Sequence, residues 1–113
     1  MSETVFEKII KGEIPCDKVL ENDHVIAFKD INPKAPVHIL IVTKKVIPNF
    51  QSVTESDFFL LAHVAMAAQE IAKRYNIADN YRLVTNNGPQ AGQSVFHLHF
   101  HLLGGKVLAD DMG

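Results

Sequence analysis

The chain has 113 residues, 47% apolar and 21% charged, with a formal net charge of −2 when histidine is neutral. That length suits one domain with its own core, residues 1–113, and that balance belongs to a soluble globular protein. Without any Lys/Arg cluster, the chain is expected to bind neither a nucleic-acid backbone nor an acidic membrane surface.

The opening "MSETVFEKIIKGEIP" carries acids and lacks the apolar core of a signal peptide, so a cytoplasmic location is expected. Thr4 followed by Glu7 makes a capping box, Val5, Phe6, Ile9 and Ile10 share one face, and Gly12 supplies a stop, which together predict a short helix. The single cysteine, Cys16, cannot form an internal disulfide; beside Pro15 it reads as a small filler rather than a nucleophile. "CDKVLEND" and "HVIAFKDI" predict two short strands joined at Asn22-Asp23. "NPKAP" must be a loop, because its prolines remove donors and restrict their predecessors. "VHILIV" is apolar and β-branched at nearly every position, as a central strand would be, and "APVHILIV" is too short to span a bilayer.

Thr54 is a good N-cap with Asp57 at N3, and a long helix is expected to run to about Tyr75. Within it "FFLLAHVAMAA", Phe58 to Ala68, leaves only His63 polar. An apolar circumference implies burial on two sides, so something besides the sheet must cover the second. Ala62, Ala65 and Ala68 would allow close approach of a second helix. "YRLVTN" predicts a fourth strand and "NGPQAGQ" a loop. The expected fold class is α+β, a mainly antiparallel sheet of about five strands with two helices.

The last strand raises the functional question. In "SVFHLHFHLLGG" His97, His99 and His101 occupy every second position, so an extended chain would place all three imidazoles on one face. One reading is a metal site. Neighbouring histidines of a strand can share an ion, but positions i and i+4 lie about 13 Å apart, and a strand rises ~3.3 Å per residue. His38 could supply a third nitrogen. A second reading makes the histidines mere decoration of a solvated face.

Catalysis on a phosphate fits better. Neutral imidazole is a nucleophile at pH 7 without losing a proton, and flanking imidazoles can donate hydrogen bonds to phosphate oxygens. The middle histidine, His99, is the natural attacker. The preceding loop, ending in Gln93-Ser94, is expected to present backbone N–H groups and a hydroxyl to the same phosphate.

"HLHFHLL", with "FEKIIKGEIP", "AFKDINPKAPVHILIV", "YRLVTNNG", "AGQSV" and "HLLGG", resembles the histidine triad (HIT) proteins, and among them the nucleotide-binding Hint branch. The resemblance covers residues 4–106. Related uridylyltransferases carry Gln in place of the third histidine, so the presence of His101 favours a hydrolase. The resemblance implies a five-stranded sheet extended across a homodimer; no metal or other cofactor is expected, because the spacing gives one ion at most two ligands from the strand. It implies activity on purine nucleoside 5′-phosphoramidates, such as AMP-amines, and on related adenylates.

By resemblance His99 is the nucleophile, His97 and His101 orient it and hold the phosphate, and His38 is a fourth histidine nearby; the Ser94 hydroxyl is expected to help protonate the leaving amine. Asn86, Gly92, Gln93 and Ser94 would border the phosphate. Asp30 would hold the ribose, and Phe6, Ile9, Phe28, Ile31 and Leu40 would wall the base. Taken alone, each apolar residue reads as plain core and Asp30 as the start of a turn. Two departures stand out: Ala91 replaces a glycine common in relatives, and the tail "KVLADDMG" lacks a Trp that some relatives carry. The rival functions are a regulatory or scaffold protein with vestigial hydrolysis, and a dinucleoside polyphosphate hydrolase.

Overall fold

The computed structural model describes residues 3–110, so the last three residues of the tail lie outside it. Helix α1 spans Val5–Ile10. Its capping box is closed on both sides: Glu7 N–H donates to Thr4 Oγ1 (3.1 Å) and Thr4 N–H to Glu7 Oε1 (3.0 Å). Strands β1 (Lys18–Glu21) and β2 (Val25–Lys29) are joined by a turn that the Asn22 side chain closes, accepting from the N–H groups of His24 and Val25. Strand β3 is Val37–Thr43, helix α2 Phe58–Arg74, strand β4 Tyr81–Val84 and strand β5 His99–Gly104.

The five strands form one antiparallel sheet in the order β1-β2-β3-β5-β4. The near-continuous apolar run of β3 therefore lies at its centre, covered on both faces. One face (Val25, Ala27, Ile39, Ile41, Phe100, Leu102) packs on Leu60, Val64, Ala67, Ala68 and Ile71 of α2. The other face (Ile26, Phe28, Leu40, Val42) packs on Phe6 of α1. Register places His99 opposite Val42 and His101 opposite Leu40, so both imidazoles share the α1 face. Gly104 packs closely under Ile77: a Cβ there would lie 2.7 Å from Ile77 Cδ1 and push the end of that side chain aside.

Three expectations need correction. Thr54 does not cap α2 directly. A 3-10 turn, Glu55–Asp57, comes first, and the Asp57 carboxylate accepts from Lys45 Nζ (2.8 Å) instead of capping the helix. Strand β5 begins only at His99, and His97 lies ahead of it. Ala68 faces the sheet, leaving Phe58, Ala62, Ala65 and Met66 exposed on α2. Among the described residues no helix is long and apolar enough to cross a membrane.

Candidate active site

The α1 face of the sheet gathers four imidazoles whose tautomers follow from their partners. His99 Nδ1 lies 2.7 Å from the carbonyl oxygen of His97, which only accepts, so Nδ1 carries the proton. Nε2 of a neutral His99 then holds a free lone pair. Lys34 N–H donates to His38 Nδ1 (3.0 Å), which places the single N–H proton of neutral His38 on Nε2. That Nε2–H donates to His101 Nδ1 at 3.0 Å, so His101 carries its own proton on Nε2. A backbone amide thus sets the direction of a two-imidazole relay that ends in a donor beside His99, the two ring centres being 5.2 Å apart.

His97 is placed differently. Its ring is fully buried, Nε2–H donates to the Thr43 carbonyl (2.6 Å), and Nδ1 pairs with Thr4 Oγ1 (3.3 Å). Both nitrogens are occupied by protein, so this ring has none left for a phosphate. It orients His99 through its own backbone carbonyl, and the expectation that it holds phosphate is corrected accordingly.

The loop before β5 also differs from expectation. The N–H groups of Ala91, Gly92 and Gln93 turn back onto the carbonyls of Gly88 and Pro89, so none of these three is offered outward. Gln93 is buried, its amide accepting from Gly88 N–H and donating to the carbonyls of Pro48 and Val95. It shapes the loop from inside. Gly92 sits at φ +98°, where a side chain would be strained, whereas Ala91 lies in the 3-10 turn Pro89–Ala91 and needs no glycine. Ser94 is exposed at the end of this loop, and Asn86 lies against Gly92.

Asp30 starts a turn and faces the site as well. Oδ1 accepts from Asn32 N–H (2.7 Å), while Oδ2 lies 3.4 Å from His38 Nε2. Asp30, His38, Asn86 and His101 line an open depression of about 620 Å³. Arg82 and Val84 of β4, Leu103 of β5, and Lys106 and Leu108 of the tail, none of them marked by a sequence motif, complete its lining, and Arg82 donates to the Ala109 carbonyl. Phe6, Ile9, Phe28 and Leu40 meet in one apolar cluster, with Phe6 edge-on to His99 (4.8 Å). Ile31 does not join them; it is 93% exposed. Asp30, His38 and His101 also bring three ligand atoms within 4.8 Å of one another, the one such trio among the described residues.

Burial pulls His38, His97 and His99 below the ordinary histidine value near 6.5. His101 is lowered to about 4, first by burial and then by His99 and His38 beside it. All four are therefore neutral at pH 7, as the tautomer argument requires. The unfolded chain takes up protons near 6.5 that these folded imidazoles refuse, so stability is full above that pH and falls as pH drops through it. Urea midpoints should decline between pH 7 and 5, before most carboxylates titrate; midpoints flat or rising toward pH 5 would contradict this.

Comparison with known proteins places the chain in a family. The HIT domain matches residues 11–108. A HIT-like protein of Chlamydia pneumoniae is 53% identical over 93% of this chain and 96% of its own length. A solved HIT family hydrolase from Clostridium thermocellum superposes with a TM-score of 0.95 at 47% identity, over 99% of this chain and 98% of that one. A hypothetical histidine triad nucleotide-binding protein from Sulfolobus tokodaii gives 0.77 at 33%, over 87% and 66%. The chain belongs to the HIT family.

Proposed function

We propose that this protein is a nucleotide hydrolase of the Hint branch that cleaves the P–N bond of purine nucleoside 5′-phosphoramidates, such as AMP-amines and related adenylates. The supporting observation is the pair of fixed tautomers: a lone pair at His99 Nε2 beside a donor at His101 Nε2. In the first step Nε2 attacks phosphorus, the P–Nε2 bond forms and the P–N bond to the amine breaks. The amine leaves with a proton relayed from water through the exposed Ser94 hydroxyl, and the hydroxide so formed takes up the proton released when water attacks in the second step. The nucleotidylated ring is cationic, with its Nδ1–H still held by the His97 carbonyl, which favours that charge. Water then displaces Nε2 and releases the nucleoside monophosphate, so one hard displacement becomes two easier ones. His101 donates to a phosphate oxygen throughout, and the reading asks nothing of a metal ion.

Phe6, Ile9, Phe28 and Leu40 offer an apolar wall for a purine, and Ile31, exposed beside Asp30, is free to close over it. Adenosine phosphoramidate should turn over faster than pyrimidine counterparts and than dinucleoside polyphosphates in one panel of substrates. Tight nucleotide binding without turnover would favour a scaffold instead.

Asp30 belongs to the ribose in this reading, two carboxylate oxygens suiting a 2′,3′-diol. Asp30→Ala should raise KM roughly 10- to 150-fold, the equivalent of about 1.5–3 kcal/mol for hydrogen bonds to a charged group. The loss in kcat should be smaller and come through His38. Equal rates on ribo- and 2′,3′-dideoxyribo-substrates would count against the assignment.

A homodimer completes the reading. Strand β4 is a sheet edge with unpaired backbone groups. On one face of the sheet α2 exposes Phe58 and Met66, each 54% accessible, with Ala62 and Ala65 between them. A second copy would extend the sheet and cover these side chains. Met66→Glu should give monomer or insoluble protein by light scattering; a wild-type monomer at micromolar concentration would contradict the dimer.

A further inference from the structure

Six histidines occur in the chain, and four are accounted for by the catalytic face. The remaining two, distant in sequence, meet. The ring centres of His24 and His63 lie 4.3 Å apart with their planes tilted by 40°. His24 sits in the turn entering β2 and His63 on α2, so the pair bridges sheet and helix on the face opposite His99. Phe59, one helical turn before His63, meets both rings edge-on, at 5.3 Å from His24 and 6.2 Å from His63. It thereby buttresses them side by side.

The contrast with the catalytic histidines is chemical. Those four have ring nitrogens tied to protein groups. Among the described residues His24 is hydrogen-bonded through its backbone N–H and carbonyl, and neither its ring nor that of His63 has a hydrogen-bond partner. Both rings are partly open to solvent. Two adjacent imidazoles with unengaged lone pairs, held by a third ring, are matched to a borderline transition-metal dication and not to Mg²⁺ or Ca²⁺, which want oxygen.

We propose that His24 and His63 form a two-histidine site for Zn²⁺, Ni²⁺ or Cu²⁺, with water in the remaining coordination positions. At metal–nitrogen distances of about 2.0–2.1 Å, two imidazoles on one ion have centres roughly 4.5–5.2 Å apart. The observed 4.3 Å needs only a small side-chain rotation to match. The ion would clip β2 to α2 in the folded chain alone and so raise stability by mass action. It would leave the catalytic face open.

Calorimetric titration of the full-length protein with Zn²⁺ tests this, with Cu²⁺ electron paramagnetic resonance counting nitrogen ligands. Wild type and His101→Ala should each bind one equivalent at this site, and Mg²⁺ should give no heat. His24→Ala and His63→Ala should each weaken that binding by at least about tenfold, since even outer-shell partners of a metal are worth 10–100-fold. Zn²⁺ should raise Tm in wild type and not in His24→Ala, while turnover is unchanged in both variants. Unchanged affinity in His63→Ala, or no heat with Zn²⁺ at all, would overturn the site. Loss of all binding in His101→Ala would overturn it too, by moving the ion to Asp30, His38 and His101.

Discussion

His99→Ala should abolish turnover and leave nucleotide binding largely intact. Losses on the order of 10⁴-fold or more accompany removal of a nucleophile, because the remaining groups stabilise a transition state that can no longer form the covalent bond. No other imidazole can take over. His97 has both nitrogens engaged, and His101 presents a proton rather than a lone pair. The proposed base and ribose contacts lie on α1, β2, β3 and the Asp30 turn, so they survive the loss of this ring. His101→Ala should slow the reaction less, since it removes one donor to the phosphate. Residual activity in His99→Ala comparable to that of His101→Ala, by single-turnover measurement, would contradict the assignment.

His97→Ala should cost about 3–5 kcal/mol of stability, a different signature from its neighbour. The ring is fully buried, so truncation leaves a cavity and strips the buried Thr43 carbonyl of its donor. For a domain of this size that lowers Tm by roughly 10–20 °C. The backbone carbonyl that orients His99 survives the change, so kcat measured well below the new Tm should fall far less than in His99→Ala. An unchanged Tm would show that the ring carries no structural weight.

Local rules read well from the chain. The Thr4–Glu7 box, the Asn22 turn, the central placement of "VHILIV" and the shared face of His99 and His101 all depend on neighbours within a few residues. What escaped was set at long range. Thr54 looked like a helix cap until Lys45, from the segment after β3, took the Asp57 carboxylate. Strict alternation suggested three equivalent histidines, but Leu98 N–H bonds to the Ile47 carbonyl and His97 drops into the core, where Thr4 and Thr43 receive it. Thr4 looked like a helix cap alone, and no local signal marks its second role. The Lys34 amide that polarises the His38–His101 relay is a backbone group, which no residue pattern announces. The glycine-bearing loop suggested outward N–H groups, yet Gln93 and the 3-10 turn draw them inward. The apolar circumference of α2 was plain; which side chains face outward was set by the sheet.

The covalent step is the centre of the account, and trapping it is the direct test. Rapid, acid-free quenching of the wild-type protein during turnover of an adenosine phosphoramidate, followed by peptide mass spectrometry, should find a nucleoside monophosphate on His99. A substrate chiral at a phosphorothioate should give net retention, the outcome of two successive inversions. Net inversion with no adduct on any histidine would mean that water attacks phosphorus directly and that His99 serves at most as a general base.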